Sequence, residues 1–181
     1  MINSSLVLKA AQFAAIKHRD QRRKDVESSP YIIHPITIAL TIAEIGGIEE
    51  QELLAAALLH DTLEDTDTSV SELDEIFGET VRKYVEEVTD DKSLPKDERK
   101  HKQIDHASTL SRGATLIKLG DKISNISDVT HSPPEGWDTE RRKQYLDWAE
   151  AVINNCPKVN KALEVHFSEV LCNGRNVLLR A

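Results

Sequence analysis

The chain has 181 residues, with 31 acidic against 23 basic side chains and a formal net charge of −8. That balance excludes a general nucleic-acid binder, which needs a basic footprint. No apolar run reaches the roughly 18 residues of a membrane span, so no membrane partner is expected. A chain this long buries roughly 70% of its unfolded surface, enough for one core without staples. It is therefore read as a single domain over residues 1–181. Cys156 and Cys172 form no CxxC pattern and the N-terminus is no secretory signal, so a reduced, cytoplasmic protein is expected.

Helix signals dominate in chain order. Asn3, Ser4 and Ser5 are candidate N-caps for a helix over about 5–19, with an apolar stripe of Leu6, Ala10, Phe13, Ala14 and Ile16. The polar segment 20–33 is predicted to be a loop. Pro35 suits the first position of a second helix that ends at Gly46-Gly47. A third is predicted to run unbroken from about Glu49 to Thr66, and a fourth from Ser71 to Phe77, stopped by Gly78. Others follow at 79–88, near 97–110 and 114–128, and at 139–155 beyond the turn-rich HSPPEGW. Pro157 precedes a last helix near 158–172. The fold class is all-α, with about eight to ten helices.

The third helix carries the chemistry. LLAAALLHDTLEDTD starts strongly apolar and then delivers His60, Asp61, Glu64, Asp65 and Asp67. Two carboxylates roughly 5 Å apart repel by about 3 kcal/mol at an effective dielectric near 20, so crowding them at a buried helix end calls for a cation. His60 and Glu64 stack one turn apart, as do Asp61 and Asp65. Taken alone, the segment reads as a satisfied core histidine and a solvated acidic end. His34, in YIIHP, alone reads as an N-cap, and Asp121, in LIKLGDKISNISD, as a partner of Lys118 or Lys122. Together, His34, His60, Asp61 and Asp121 make a two-nitrogen, two-oxygen set for one divalent ion, of a kind that suits Mn²⁺, Fe²⁺ or Zn²⁺. Such an ion lowers the pKa of water toward roughly 7–9 and yields a nucleophile at neutral pH.

Two basic stretches stand out in this acidic chain: KHRDQRRKD (17–25) and KDERKHK (96–102). Each alone reads as a solvated face. Together, in an acidic protein, they can still hold a small, highly anionic ligand.

The pattern H…HDxxED…D resembles that of the HD phosphohydrolases. HRDQRRKD, PYIIHP, HDTLEDT, VEEVTDDKSLPKDERK, LIKLGDKISN and PPEGW narrow the likeness to the hydrolase domain of RelA/SpoT-type alarmone enzymes, in particular the stand-alone small alarmone hydrolases. The likeness runs from about residue 8 to 150 and is loose beyond about 155. It implies a Mn²⁺-dependent enzyme that removes the 3′-pyrophosphate from (p)ppGpp. By matching position, it implies metal ligands at His34, His60, Asp61 and Asp121, and a catalytic pair at Glu64 and Asp65. It likewise implies nucleotide contacts at Arg23, Lys24, Lys96, Asn125, Arg141 and Tyr145. Gly120 stands where Ala is usual, which is expected to loosen its helix slightly, and Ser127 stands where Arg is frequent, which is expected to weaken substrate binding. The rival expectations are another phosphorylated nucleotide such as NADPH, or a module that senses a nucleotide without cleaving it. Oligomeric state is not read from the sequence.

Overall fold

The computed structural model describes residues 5–180. The helices are α1 (Ser5–Lys17), α2 (Ile33–Glu44), α3 (Gln51–Leu59), α4 (Thr62–Asp65), α5 (Val70–Phe77) and α6 (Glu79–Val88). They continue as α7 (Lys96–His106), a 3₁₀ turn (Ala107–Thr109), α8 (Arg112–His131), α9 (Thr139–Asn155) and α10 (Lys161–Arg180). Among the described residues there is no strand, only an isolated bridge between Arg22 and Pro30 that closes the loop after α1. The all-α expectation holds. Asn3 and Ser4, expected as caps, lie outside the described residues.

Local chemistry sets several ends. Ser69, Ser111 and Asp138 each accept a backbone N–H from the first turn of α5, α8 and α9. Gly78, at φ 84°, turns the chain from α5 into α6 in a conformation that disfavours other residues.

The core is organised around α8. Of its 20 residues 13 are buried, and α2, α3, α6, α9 and α10 all pack against it. Six of the nine residues of α3 are buried, and α1, whose own buried residues are Ala10 and Ala14, lies along it. Glycine governs one approach. A Cβ at Gly120 would meet Ile38 Cγ2 at 2.9 Å and Ile42 Cγ1 at 3.3 Å, so the missing side chain lets α8 sit close on α2. The expected loosening is therefore answered by packing.

Two predicted helices are corrected. The helix expected over 49–66 breaks after Leu59: Asp61 takes φ −98°, ψ −1°, and the chain resumes as the short α4. Side chains compete for the backbone there. His60 Nδ1 takes the Ala57 carbonyl at 2.9 Å and Thr62 Oγ1 the Leu59 carbonyl at 2.6 Å. The last helix runs to Arg180 rather than stopping near 172. Its stripe of Leu163, Phe167, Leu171 and Leu178 continues through Gly174, where a Cβ would meet Thr130 Oγ1 at 2.7 Å. That glycine marks close helix contact rather than a stop.

Gly120→Ala is expected to lower stability by up to about 2 kcal/mol, because about 1–3 kcal/mol of overpacking outweighs about 1 kcal/mol of helix propensity. Urea denaturation measures it, and an equal or higher midpoint would show that Ile38 moves aside freely.

Candidate metal centre and active site

Three elements converge on one buried point. His34 comes from the first turn of α2, His60 and Asp61 from the break between α3 and α4, and Asp121 from the middle of α8. His34 and His60 are 3% and 5% exposed. Ligand atoms of His34, His60 and Asp121 all lie within 4.8 Å of one another. Asp61 joins through Oδ2, which is 2.9 Å from His60 Nε2 and 3.9 Å from His34 Nε2. His34 Nε2 is also 3.4 Å from Asp121 Oδ1.

The hydrogen bonding fits a cation at this point. Each imidazole is held by its far nitrogen: His60 Nδ1 on the Ala57 carbonyl, His34 Nδ1 on Ser124 Oγ at 3.1 Å. A donor N–H toward Ala57 leaves His60 Nε2 as the lone-pair nitrogen. That atom is buried without a hydrogen-bond partner, although a carboxylate oxygen stands 2.9 Å away. With His60 neutral, two lone-pair atoms this close are a ligand arrangement; outer bonds of this kind orient metal-binding imidazoles.

The carboxylates are held from behind. Tyr31 donates its hydroxyl to Asp61 Oδ2. Asp121 accepts from Lys122 at 2.9 Å and from Asn125 at 2.5 Å. Burial alone would raise both carboxyl pKa values, but opposite charge holds each below the usual range: the protonated form of His60, whose proton an ion would replace, for Asp61, and Lys122 for Asp121. Lys122 is itself 3% exposed, yet Asp121 overcomes its burial and keeps it charged. Of the two lysines expected to serve Asp121, Lys122 does so, while Lys118 donates to the Val88 carbonyl.

The predicted catalytic pair separates into two environments. Burial pushes the Glu64 carboxyl up to about 6, and its Oε2 accepts the Asp90 backbone N–H at 3.2 Å. Asp65 accepts from Gln21 at 3.0 Å and from Lys92. Both line a cavity of about 330 Å³ with the four candidate ligands and with Arg23, Lys24, Lys96, Asn125 and Tyr145.

Arg141 departs from the expected set. It lies outside that cavity, in an adjoining cleft that shares Lys96 and Tyr145, with its guanidinium 4.4 Å over the Trp137 ring. Stacking on that ring draws it aside. Tyr145 packs between Trp137 and Trp148, at ring separations of 5.9 and 5.4 Å, which favours packing over a free stacking platform. Arg23 donates to Asn125 at 3.2 Å and to Asp128, bracing the loop after α1 against α8. Ser127 lines a small cleft with Arg23 and Asp128, so the frequent arginine is absent beside an existing ion pair.

Sequence reasoning missed Arg99, Lys100, Gln103, Lys122 and Trp148 as cavity residues. The basic stretch 96–102 signalled the first two; Trp148 carried no signal, because its place depends on how α9 crosses α7. A larger groove of about 990 Å³ between α9 and α10 holds none of the predicted site residues. Its Arg175 is already paired with Glu150 and Asp147, so the smaller cavity is the better candidate site.

A family model for the HD domain matches residues 10–147. The chain belongs to the HD domain family. Its His60-Asp61 is the dipeptide at the break between α3 and α4, and this domain implies a divalent metal, for which His34, His60 and Asp121 form a fitting site. The HD-domain chain is 49% identical over 162 residues to guanosine-3′,5′-bis(diphosphate) 3′-pyrophosphohydrolase MESH1 of Xenopus tropicalis, covering 90% of each chain. It is 51% identical over 158 residues to human MESH1, covering 87% of this chain and 88% of that one. A solved structure described as a metazoan orthologue of SpoT that hydrolyses ppGpp superposes with a TM-score of 0.92 at 42% identity, covering 98% of this chain and 99% of the other. A Listeria monocytogenes protein at 23% identity and TM-score 0.65 shares the fold.

Because the ion would tie α2, α3 and α8 together, EDTA is expected to lower Tm and added Mn²⁺ to restore it. His60→Ala is expected to abolish that response in a thermal melt; a melt indifferent to EDTA would remove the cross-link.

Proposed function

We propose that this protein is a metal-dependent guanosine-3′,5′-bis(diphosphate) 3′-pyrophosphohydrolase, acting in the cytoplasm with Mn²⁺ to convert (p)ppGpp into GDP or GTP and pyrophosphate. The observation that carries the reading is the facing of His34, His60, Asp61 and Asp121 within a cavity that also presents Glu64 and a cationic wall. The relatives' shared name supplies the substrate.

When bound, the ion supplies Lewis-acid polarisation and charge neutralisation at the reacting phosphate. The remaining steps belong to side chains. Glu64, with a carboxyl pKa raised by burial, is suited to take the proton from the attacking water. The water oxygen bonds to the phosphorus on the ribose 3′ oxygen, that P–O bond breaks, and the leaving 3′ oxygen takes up the proton that Glu64 accepted, returned through solvent. Asp65, tethered by Gln21 and Lys92, orients the water beside Glu64. Arg23, Lys24 and Lys96 neutralise phosphate oxygens, and Asn125 keeps Asp121 in place while facing the same cavity. Arg141, in the adjoining cleft, would contact the far end of a bound nucleotide once it leaves the Trp137 ring.

Purified protein with Mn²⁺ is expected to release pyrophosphate from ppGpp. Phosphate release from NADPH with none from ppGpp would overturn the substrate. Glu64→Gln is expected to keep metal content and fold while lowering kcat by roughly 10²–10⁴-fold; retained turnover would remove Glu64 from proton transfer.

The pH profile follows from the same residue. A base must be deprotonated, so kcat/KM is expected to fall as pH drops through about 6, and an added cation nearby can only move that limb lower. An acid limb well above that value would assign the base elsewhere.

A further inference from the structure

Arg99 carries donors that nothing among the described residues satisfies. It stands on α7 and lines the cavity beside Glu64, with its side chain 26% exposed. Its Nη1 is 3.7 Å from Glu64 Oε1, an ion-pair distance too long for a hydrogen bond. Its Nε is buried without a partner. One turn along α7, Gln103 donates Nε2 to the Asp90 carboxylate and leaves its Oε1 buried and unpartnered. Lys96 and Lys100 line the same wall. An arginine serving only to pin Glu64 would grip it with its fork at roughly 2.7–2.9 Å. This one holds the carboxylate loosely and lines the cavity, with no hydrogen bond to Glu64 to break.

We propose that Arg99 is an anion-binding residue that exchanges partners: the Glu64 carboxylate in the free protein, a phosphate oxygen of the substrate's 3′-diphosphate in the complex. The inference rests on the reading above that the substrate carries that group. An arriving diphosphate, with more charge and more acceptor oxygens than one carboxylate, draws the guanidinium across. Glu64 is then left with the Asp90 N–H and is free to accept a proton from water. Carboxylate and diphosphate thus compete for one cation, and that competition is reciprocal.

Binding of inorganic pyrophosphate to the full Mn²⁺-loaded chain, measured by calorimetry without excess free metal, tests this. Arg99→Ala is expected to weaken binding about tenfold or more. Arg99→Lys, a point charge without the fork, should fall between. Glu64→Gln is expected to tighten binding, and that gain should shrink at least threefold when Arg99 is also Ala. Unchanged affinity in Arg99→Ala with a lowered Tm would make Arg99 a strut alone, and an equal Glu64→Gln effect in both backgrounds would overturn the exchange. Should Arg99→Ala not fold, Arg99→Gln gives the same comparison. Wild-type ppGpp turnover is followed separately. No turnover, with pyrophosphate binding still dependent on Arg99, overturns the substrate; turnover with binding independent of Arg99 overturns this inference alone.

Discussion

The structure depends on one electrostatic constraint: two half-buried carboxylates and two buried imidazoles gather around a common point, an arrangement that a cation there stabilises. An ionised carboxylate is strongly disfavoured in a low-dielectric interior unless paired. Asp121 has Lys122 and Asn125, and Asp61 has the Tyr31 hydroxyl. His60 Nε2 has no hydrogen-bond partner, and that is the atom an ion would take.

The break between α3 and α4 follows from the same constraint. In a continuous helix, residues 60 and 61 would point about 100° apart. The bend at Asp61 brings a side chain from each to within 2.9 Å, at the expense of backbone hydrogen bonding that His60 and Thr62 side chains partly replace. Helix α8 then sets the distance across the site, since Gly120 seats it on α2, which carries His34.

Charge is arranged against the net balance. A chain with a formal net charge of −8 places Arg23, Lys24, Lys96, Arg99, Lys100 and Lys122 on one cavity. They come from the loop after α1, from α7 and from α8, so this cationic wall is assembled by folding rather than by composition. A concave, low-dielectric wall of this kind concentrates the field on a small anion.

Much of this was legible along the chain. Apolar spacing located the helices, Gly78 and Pro157 punctuated them, and the ligand residue types marked where the metal chemistry would lie. Asp121 was legible because a carboxylate beside a core stripe needs a partner. The sequence did not show that the helix at 60–61 breaks, that Gly174 continues α10, or that Trp137 draws Arg141 aside. Local spacing reports which face of an element is buried, and so determined the helices and the inward histidines. What lies opposite that face, including the loose grip of Arg99 on Glu64 and the burial of Lys122, depends on helices far apart in the chain, and only tertiary packing decided it.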